Sequence, residues 1–180
     1  MIRTPLSTVI GGAFWAPGAT VIGGTSKKTF DQLIQSLFAN NEQGFFYDPN
    51  DLSTMFQDST GTTPVTAVGQ RVGLMKDKSE RGNHAYQTTS VARPILRDTP
   101  RRIDFGVVVD KLITKLSAQL TGCTVIRSVP NVGTQILVNQ TIPTTYNDDT
   151  DHCGLIVINR VITPSETSAI AAEFNKRAGV

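Results

Sequence analysis

A disulfide framework, a membrane span and a strong charge field are all missing from this sequence. The chain has two cysteines in 180 residues, Cys123 and Cys153, too few for a scaffold and without metal-ligand spacing. Both sit in apolar runs, "GCTVI" and "HCGLIVI", where a thiol behaves as a small core residue; a bridge between them stays open at this point. Lysine and arginine total 17 against 15 acids, a net charge of +2, which gives no long-range steering of nucleic acid. The densest basic stretch, Arg93, Arg97, Arg101 and Arg102, is interrupted by Asp98 and two prolines and reads as a solvated loop. No apolar run is long enough to cross a bilayer, and the first residues lack the uninterrupted hydrophobic region of a signal peptide. Synthesis in a cytoplasm, without membrane insertion, is the expectation. Glycine-rich phosphate loops, zinc signatures and nucleophile elbows are also missing, so neither a cofactor nor catalysis is expected.

What is present begins with a short repeat. "TVIGG" occurs at Thr8–Gly12 and again at Thr20–Gly24, around a Pro17-Gly18 turn signal. This arm carries Val9, Ile10, Phe14, Trp15, Val21 and Ile22, too much apolar surface to leave in water. Residues 1–25 are read as an attachment or oligomerisation arm. Residues 26–43 follow as an amphipathic helix with Phe30, Leu33, Ile34, Leu37 and Phe38 on one stripe, capped by Ser26 or Thr29. That stripe can seat on a sheet or pair with copies of itself; Phe30, Leu33 and Leu37 are grouped with the arm as assembly residues.

From Gly44 to about Arg160 the signals are β. Expected strands are Phe45–Tyr47, Val65–Val68, Arg71–Met75, Ala85–Thr88, Ile103–Val109, Cys123–Val129, Thr134–Val138 and Gly154–Asn159, separated by turn clusters. Short strands at this spacing suggest an antiparallel sandwich. Lys111–Gly122 stays open between strand and helix. The end is a helix with Thr163 as N-cap, Pro164 at the first position, Glu166 closing a capping box and Gly179 as the stop.

Residues 44–96 carry a resemblance. "YDPNDLSTMFQD", "GTTPVTAVGQRVGL", "DKSERGNHAYQ" and "RPIL" resemble the opening block of bacteriophage and prophage tail proteins with a laminin-G-like, concanavalin A-like lectin domain. "GLIVINRVITPSETSAIAAEFNKRAG", Gly154–Gly179, is similar to the end of such domains. The resemblance implies a mainly β fold: an antiparallel concanavalin A-like (jelly-roll) β-sandwich over 44–180, with an N-terminal extended arm plus helix and a short C-terminal helix. It also implies a virion protein of the tail or baseplate, with other tail or baseplate proteins as partners and a homo-oligomer, trimeric by analogy with fibres. Two departures stand out. Glu80 replaces the glycine usual in relatives, and "IDFGVVVDKL" replaces an acidic segment, which would weaken a ligand or ion site there.

Candidate sites are few. His84 lacks a neighbouring nucleophile, and a neutral ring bonding nearby backbone is the plainer reading. "NDDTDHC" offers Asp148, Asp149 and Asp151 as weak metal ligands, without EF-hand spacing. Asp48, Asn50, Asp51 and Asp58 form a second oxygen-rich stretch, read as an Asx-type turn. Asp104 is the one acid within an apolar strand that a glycosidase reading could use. Tyr47, Tyr86 and Tyr146 are the candidates for a host-surface glycan, the alternative to a purely structural role; a head decoration protein is a second alternative.

Overall fold

The computed structural model describes residues 28–180; the arm residues Val9, Ile10, Phe14, Trp15, Val21 and Ile22 lie outside the described residues. Helix α1, Phe30–Leu37, is followed by strands β1 (Gly44–Tyr47), β2 (Met55–Phe56), β3 (Leu74–Met75), β4 (Ala85–Tyr86), β5 (Ile95–Arg97) and β6 (Arg102–Asp104). Strands β7 (Leu112–Lys115), β8 (Leu120–Val129), β9 (Gly133–Ile142), β10 (Thr145–Asp148) and β11 (Leu155–Ile158) lead to helix α2, Pro164–Ala178. The architecture is mainly β, with antiparallel pairing throughout. None of the described helices is long and apolar enough to cross a membrane.

Two sheets face one another. The first has the order β1-β11-β8-β9, the second β10-β7-β4-β3-β2, and β5-β6 forms a separate ribbon. Alternation along the strands of the first sheet divides its side chains between two cores. Phe45, Tyr47, Val125, Leu155 and Val157 face the second sheet, where Met55, Met75, Ala85 and Leu112 meet them. Phe46, Ile126, Ile156 and Ile158 face the opposite way, against Ile34, Leu37 and Phe38 of the α1 region and Ile170 and Phe174 of α2. Covered on both faces, β1 and β11 are buried at every position, which explains the unbroken apolar runs "GFFY" and "LIVI".

The helix ends follow the capping chemistry. Thr29 and Gln32 close a capping box on α1, and Thr163 and Glu166 close one on α2. Gly179 ends α2 at φ 85°, a left-handed backbone that favours glycine. Glu166 has a second role. Its carboxylate accepts from Arg160 Nη1 at 2.9 Å and Nη2 at 2.7 Å, while Arg160 Nη2 also donates to the Leu37 carbonyl at 3.2 Å. The N-terminus of α2 is thereby tied to the C-terminus of α1.

Several expectations need correction. The α1 stripe is not a free assembly face: Leu37 is fully buried, Phe30 packs edge-on to Phe46 at 5.8 Å, and Leu33 packs on the same core. The sheet supplies the apolar partner that an isolated helix would have sought elsewhere. No strand forms over Val65–Val68; an isolated bridge from Phe56 to Pro64 precedes the stretch, and the Val65 amide donates to the Met55 carbonyl at 3.0 Å. The strand expected to reach Val109 ends at Asp104, leaving Val107, Val108 and Val109 exposed. Lys111–Gly122 resolves into β7, a turn and the first residues of β8. Cys123 and Cys153 are buried and unpaired.

The Arg160 hydrogen bonds hold the Glu166 carboxyl down at about 2, against an ordinary 4.5. A lowered folded-state value stabilises fully above the unfolded pKa and is lost as pH falls through the folded one. Glu166→Gln is expected to cost about 1 kcal/mol at neutral pH. Its deficit against the parent should shrink as pH falls from about 4.5 towards about 2, as read by urea unfolding across that window.

Candidate functional site

The "DKSERGNHAYQ" stretch sits at the outer rim of β1, an edge strand of the first sheet. An edge strand leaves a row of backbone groups without a strand partner, and this loop supplies them. Asp77 Oδ1 accepts from the Phe46 amide at 2.9 Å, Lys78 N–H donates to the Phe46 carbonyl at 2.9 Å, and Asn83 Nδ2 donates to the Gly44 carbonyl at 2.7 Å. The same Asp77 carboxylate accepts from the Ser79 amide and hydroxyl, both at 2.8 Å, and from the Asn83 amide at 3.0 Å. His84 Nδ1 accepts the Asp77 amide at 3.0 Å, which places the ring proton on Nε2 when the imidazole is neutral. A histidine bound in this way positions backbone.

The turn answers the question that Glu80 raises. Glu80 adopts φ 65° and Gly82 φ 75°, so the loop uses two left-handed residues and only one of them is glycine. A side chain in that region carries a steric cost that glycine avoids. The loop is fixed at its ends instead, through Asp77 and Asn83, and Arg81 donates to the Phe38 carbonyl at the end of α1.

Other quoted motif residues are likewise engaged with backbone. Arg93, from "RPIL", donates from Nε to the Gln87 carbonyl at 3.0 Å, from Nη1 to Gln57 at 3.0 Å and from Nη2 to Thr88 at 3.1 Å. The neighbouring backbone runs so close that a Cβ on Gly73 would lie 2.6 Å from the Gln57 carbonyl oxygen. Asp58 organises the preceding loop by accepting from Thr60, Thr62 and Thr63. These hydrogen bonds, led by that of the Thr60 hydroxyl, hold its carboxyl far below the usual carboxylate range.

The three tyrosines divide. Tyr47 is a correction to the glycan reading: it is fully buried, its ring stacks on Phe45 at 4.7 Å, and its hydroxyl donates to the Asn83 carbonyl at 2.5 Å. With that proton committed, the Thr114 hydroxyl, 2.6 Å away, donates back to the phenol oxygen. Burial pushes the Tyr47 phenol well up. Tyr146 is half-buried between the sheets, 5.4 Å from Phe45, and burial likewise raises its phenol. Tyr86 alone faces outward, on the far side of the second sheet. There the register sets Phe56 beside Leu74, Leu74 beside Tyr86 and Tyr86 beside Ile113, a cross-strand row that no motif search reveals. Its only sequence trace is the alternation within strands two to four residues long.

The acidic stretches are held in pairs. Asp48, 3 % exposed, accepts Arg177 Nη1 at 2.6 Å and Lys78 Nζ at 3.3 Å, and Lys78 also reaches Asp51 at 3.0 Å and Asp31 at 3.3 Å. Together with Phe30, Asn50 and Arg101 they line an open recess of about 500 Å³ in which these carboxylates already have cations.

The three acids of "NDDTDHC" go separate ways. Asp148 is buried against His152 Nε2 at 2.8 Å, Asp149 is exposed, and Asp151 accepts the Phe105 amide at 2.8 Å. Among the described residues no group of three or more His, Cys, Asp or Glu could hold a metal ion. Asp104 is paired with Arg97 Nε at 2.9 Å. Sequence reasoning missed the Asp148–His152 pair, since only the β10 pairing and the following turn bring it inside.

Two substitutions test whether the loop is structural. Asp77→Asn turns an amide towards N–H donors and should cost about 2–4 kcal/mol in urea unfolding; a loss under about 1 kcal/mol would count against the scheme. Glu80→Gly should gain about 0.5–1 kcal/mol by relieving the left-handed backbone. No family model, curated protein or solved structure matches this chain.

Proposed function

We propose that the chain is a structural protein of a bacteriophage tail or baseplate, with a concanavalin A-like sandwich as its body and residues 1–25 as its attachment arm. The reading rests on the resemblance of residues 44–96 and 154–179. One structural observation carries it: the motif residues Tyr47, Asp77, Asn83, His84 and Arg93 all bind backbone or core groups of their own chain. Residues engaged in that manner suit a body-building role. Two antiparallel sheets closing on one core suit the jelly-roll reading, and the small net charge suits a particle component with no nucleic-acid task.

A specific observation favours a second reading, recognition of a host-surface glycan. Tyr86 lies half-exposed within an apolar row on the outer face of the second sheet, and an aromatic face on a flat sheet is a stacking platform for a sugar ring. The two readings are compatible on different surfaces.

Deleting residues 1–25 tests the structural reading. The body is expected to stay soluble and folded by circular dichroism while failing to join particles, and immunogold labelling of the parent should mark the tail. Label on the head would replace the tail reading with a decoration role, and loss of folding would mean the arm completes its own core. For the glycan reading, array binding by the full chain should be lost in Tyr86→Ala; an array with no bound glycan for the parent ends it.

A further inference from the structure

The two edges of the first sheet are treated differently. The β1 rim is closed by Asp77, Lys78 and Asn83. Strand β9, the opposite edge, is 10 residues long and reads GTQILVNQTI, with no charge and no proline to discourage a further strand. Leu137 is 42 % exposed and Val138 53 %.

The direction of its free groups follows from its neighbours. Ser128 N–H donates to the Gly154 carbonyl, towards β11, and Ser128 is the register partner of Thr134. The backbone groups of Thr134 therefore point away from β8, in agreement with its amide donating to Asn175 Oδ1 of α2 at 2.8 Å. By the period of two, those of Ile136 point outward as well. Helix α2 covers the rim at Thr134, and no described strand pairs with β9 beyond it. The open stretch ends at a bulge around Asn139, φ 58°, where Gln140 Nε2 occupies the Val138 carbonyl.

The sequence supplies a matching strand twice. "TVIGG" at Thr8–Gly12 and Thr20–Gly24 is uncharged and β-branched, the chemistry that adds to an open edge and covers exposed Leu and Val. The arm leaves the described body at Lys28, beside Phe30, which packs on Phe46 of β1. Strand β9 is three strands away, roughly 14 Å, with α2 packed over the intervening sheet. Residues 1–27 span up to about 90 Å when extended, ample to reach another molecule.

We infer that the β9 rim accepts a "TVIGG" segment from the arm of a second copy of this chain as an added strand. Such a contact joins two different surfaces, so its repetition builds a ring or an open filament according to the rotation between copies. The inference rests on the reading of residues 1–25 as an assembly arm, and it names where that arm goes.

The experiment uses full-length chains. Leu137→Lys with Val138→Lys places two charges on exposed positions of the rim. The parent is expected to sediment as an oligomer and the double variant as a monomer that keeps the parent's circular dichroism spectrum. Mixing Thr20→Cys chains with Val138→Cys chains under mild oxidation should give disulfide-linked dimers that neither variant forms alone; the native thiols are buried.

A monomeric parent, or a double variant that keeps the parent's mass, overturns the inference. So does a Thr20→Cys/Val138→Cys chain that links only within itself. If Val9→Asp with Ile22→Asp abolishes the oligomer but the rim variant does not, the arm reading stands and the β9 site falls. Incorporation of the parent into particles is scored separately, so failure of the tail reading is told apart from failure of this one.

Discussion

The carboxylate of Asp77 holds the body together at its most demanding point. A sheet with helices on one face and a second sheet on the other has no solvent to satisfy the rim of its edge strand. Asp77 meets that need at Phe46 and fixes the turn that delivers Lys78 and Asn83 to the same rim. Asn83 then passes the constraint across the core, since its carbonyl receives the Tyr47 hydroxyl, which in turn receives Thr114 from β7. One buried anion thus sets the register of a loop, an edge strand and the facing sheet. Its position among N–H and O–H donors is what makes a buried charge tolerable there.

The division of labour among polar residues follows from that arrangement. Lys78 faces outward from the same loop to bind Asp31, Asp48 and Asp51, and Arg177 reaches Asp48 from the last turn of α2. Both helices are therefore joined to the β1 end of the first sheet by charge as well as by apolar packing. The concentration of acids and bases that suggested a site is a set of internal braces. Asp148 and His152, fully buried together, form a further brace where β10 leads into the turn before β11.

Much of this was legible in the residues. The helix at α1 was visible in its apolar spacing, α2 in Thr163, Pro164, Glu166 and Gly179, and β1 and β11 in their unbroken apolar runs. These signals are local, and local chemistry sets them. The Lys111–Gly122 stretch was not legible because Leu112, Leu116 and Leu120 fit a helix as well as they fit strand, turn and strand. Only pairing of β7 with β10 and β4 decides it. The burial of Tyr47 was hidden for a related reason: aromatics in a strand look alike until the sheet chooses an inner face. The outer row of Phe56, Leu74, Tyr86 and Ile113 depends on register between strands far apart in sequence, which no window along the chain contains.

The attachment of α1 to the body has a mechanical meaning. The last turn of this short helix is gripped through its carbonyls, Leu37 by Arg160 and Phe38 by Arg81, and Ile34, Leu37 and Phe38 are sunk in the core. Tension on the preceding residues enters at Thr29 and runs along the helix towards those grips. Phe30, packed on Phe46 and Phe174, and Asp31, bound by Lys78, hold the first turn as well, so the load is shared between the two ends of the helix. A short helix held in this way spreads a pull over both of its ends before the sheet feels it.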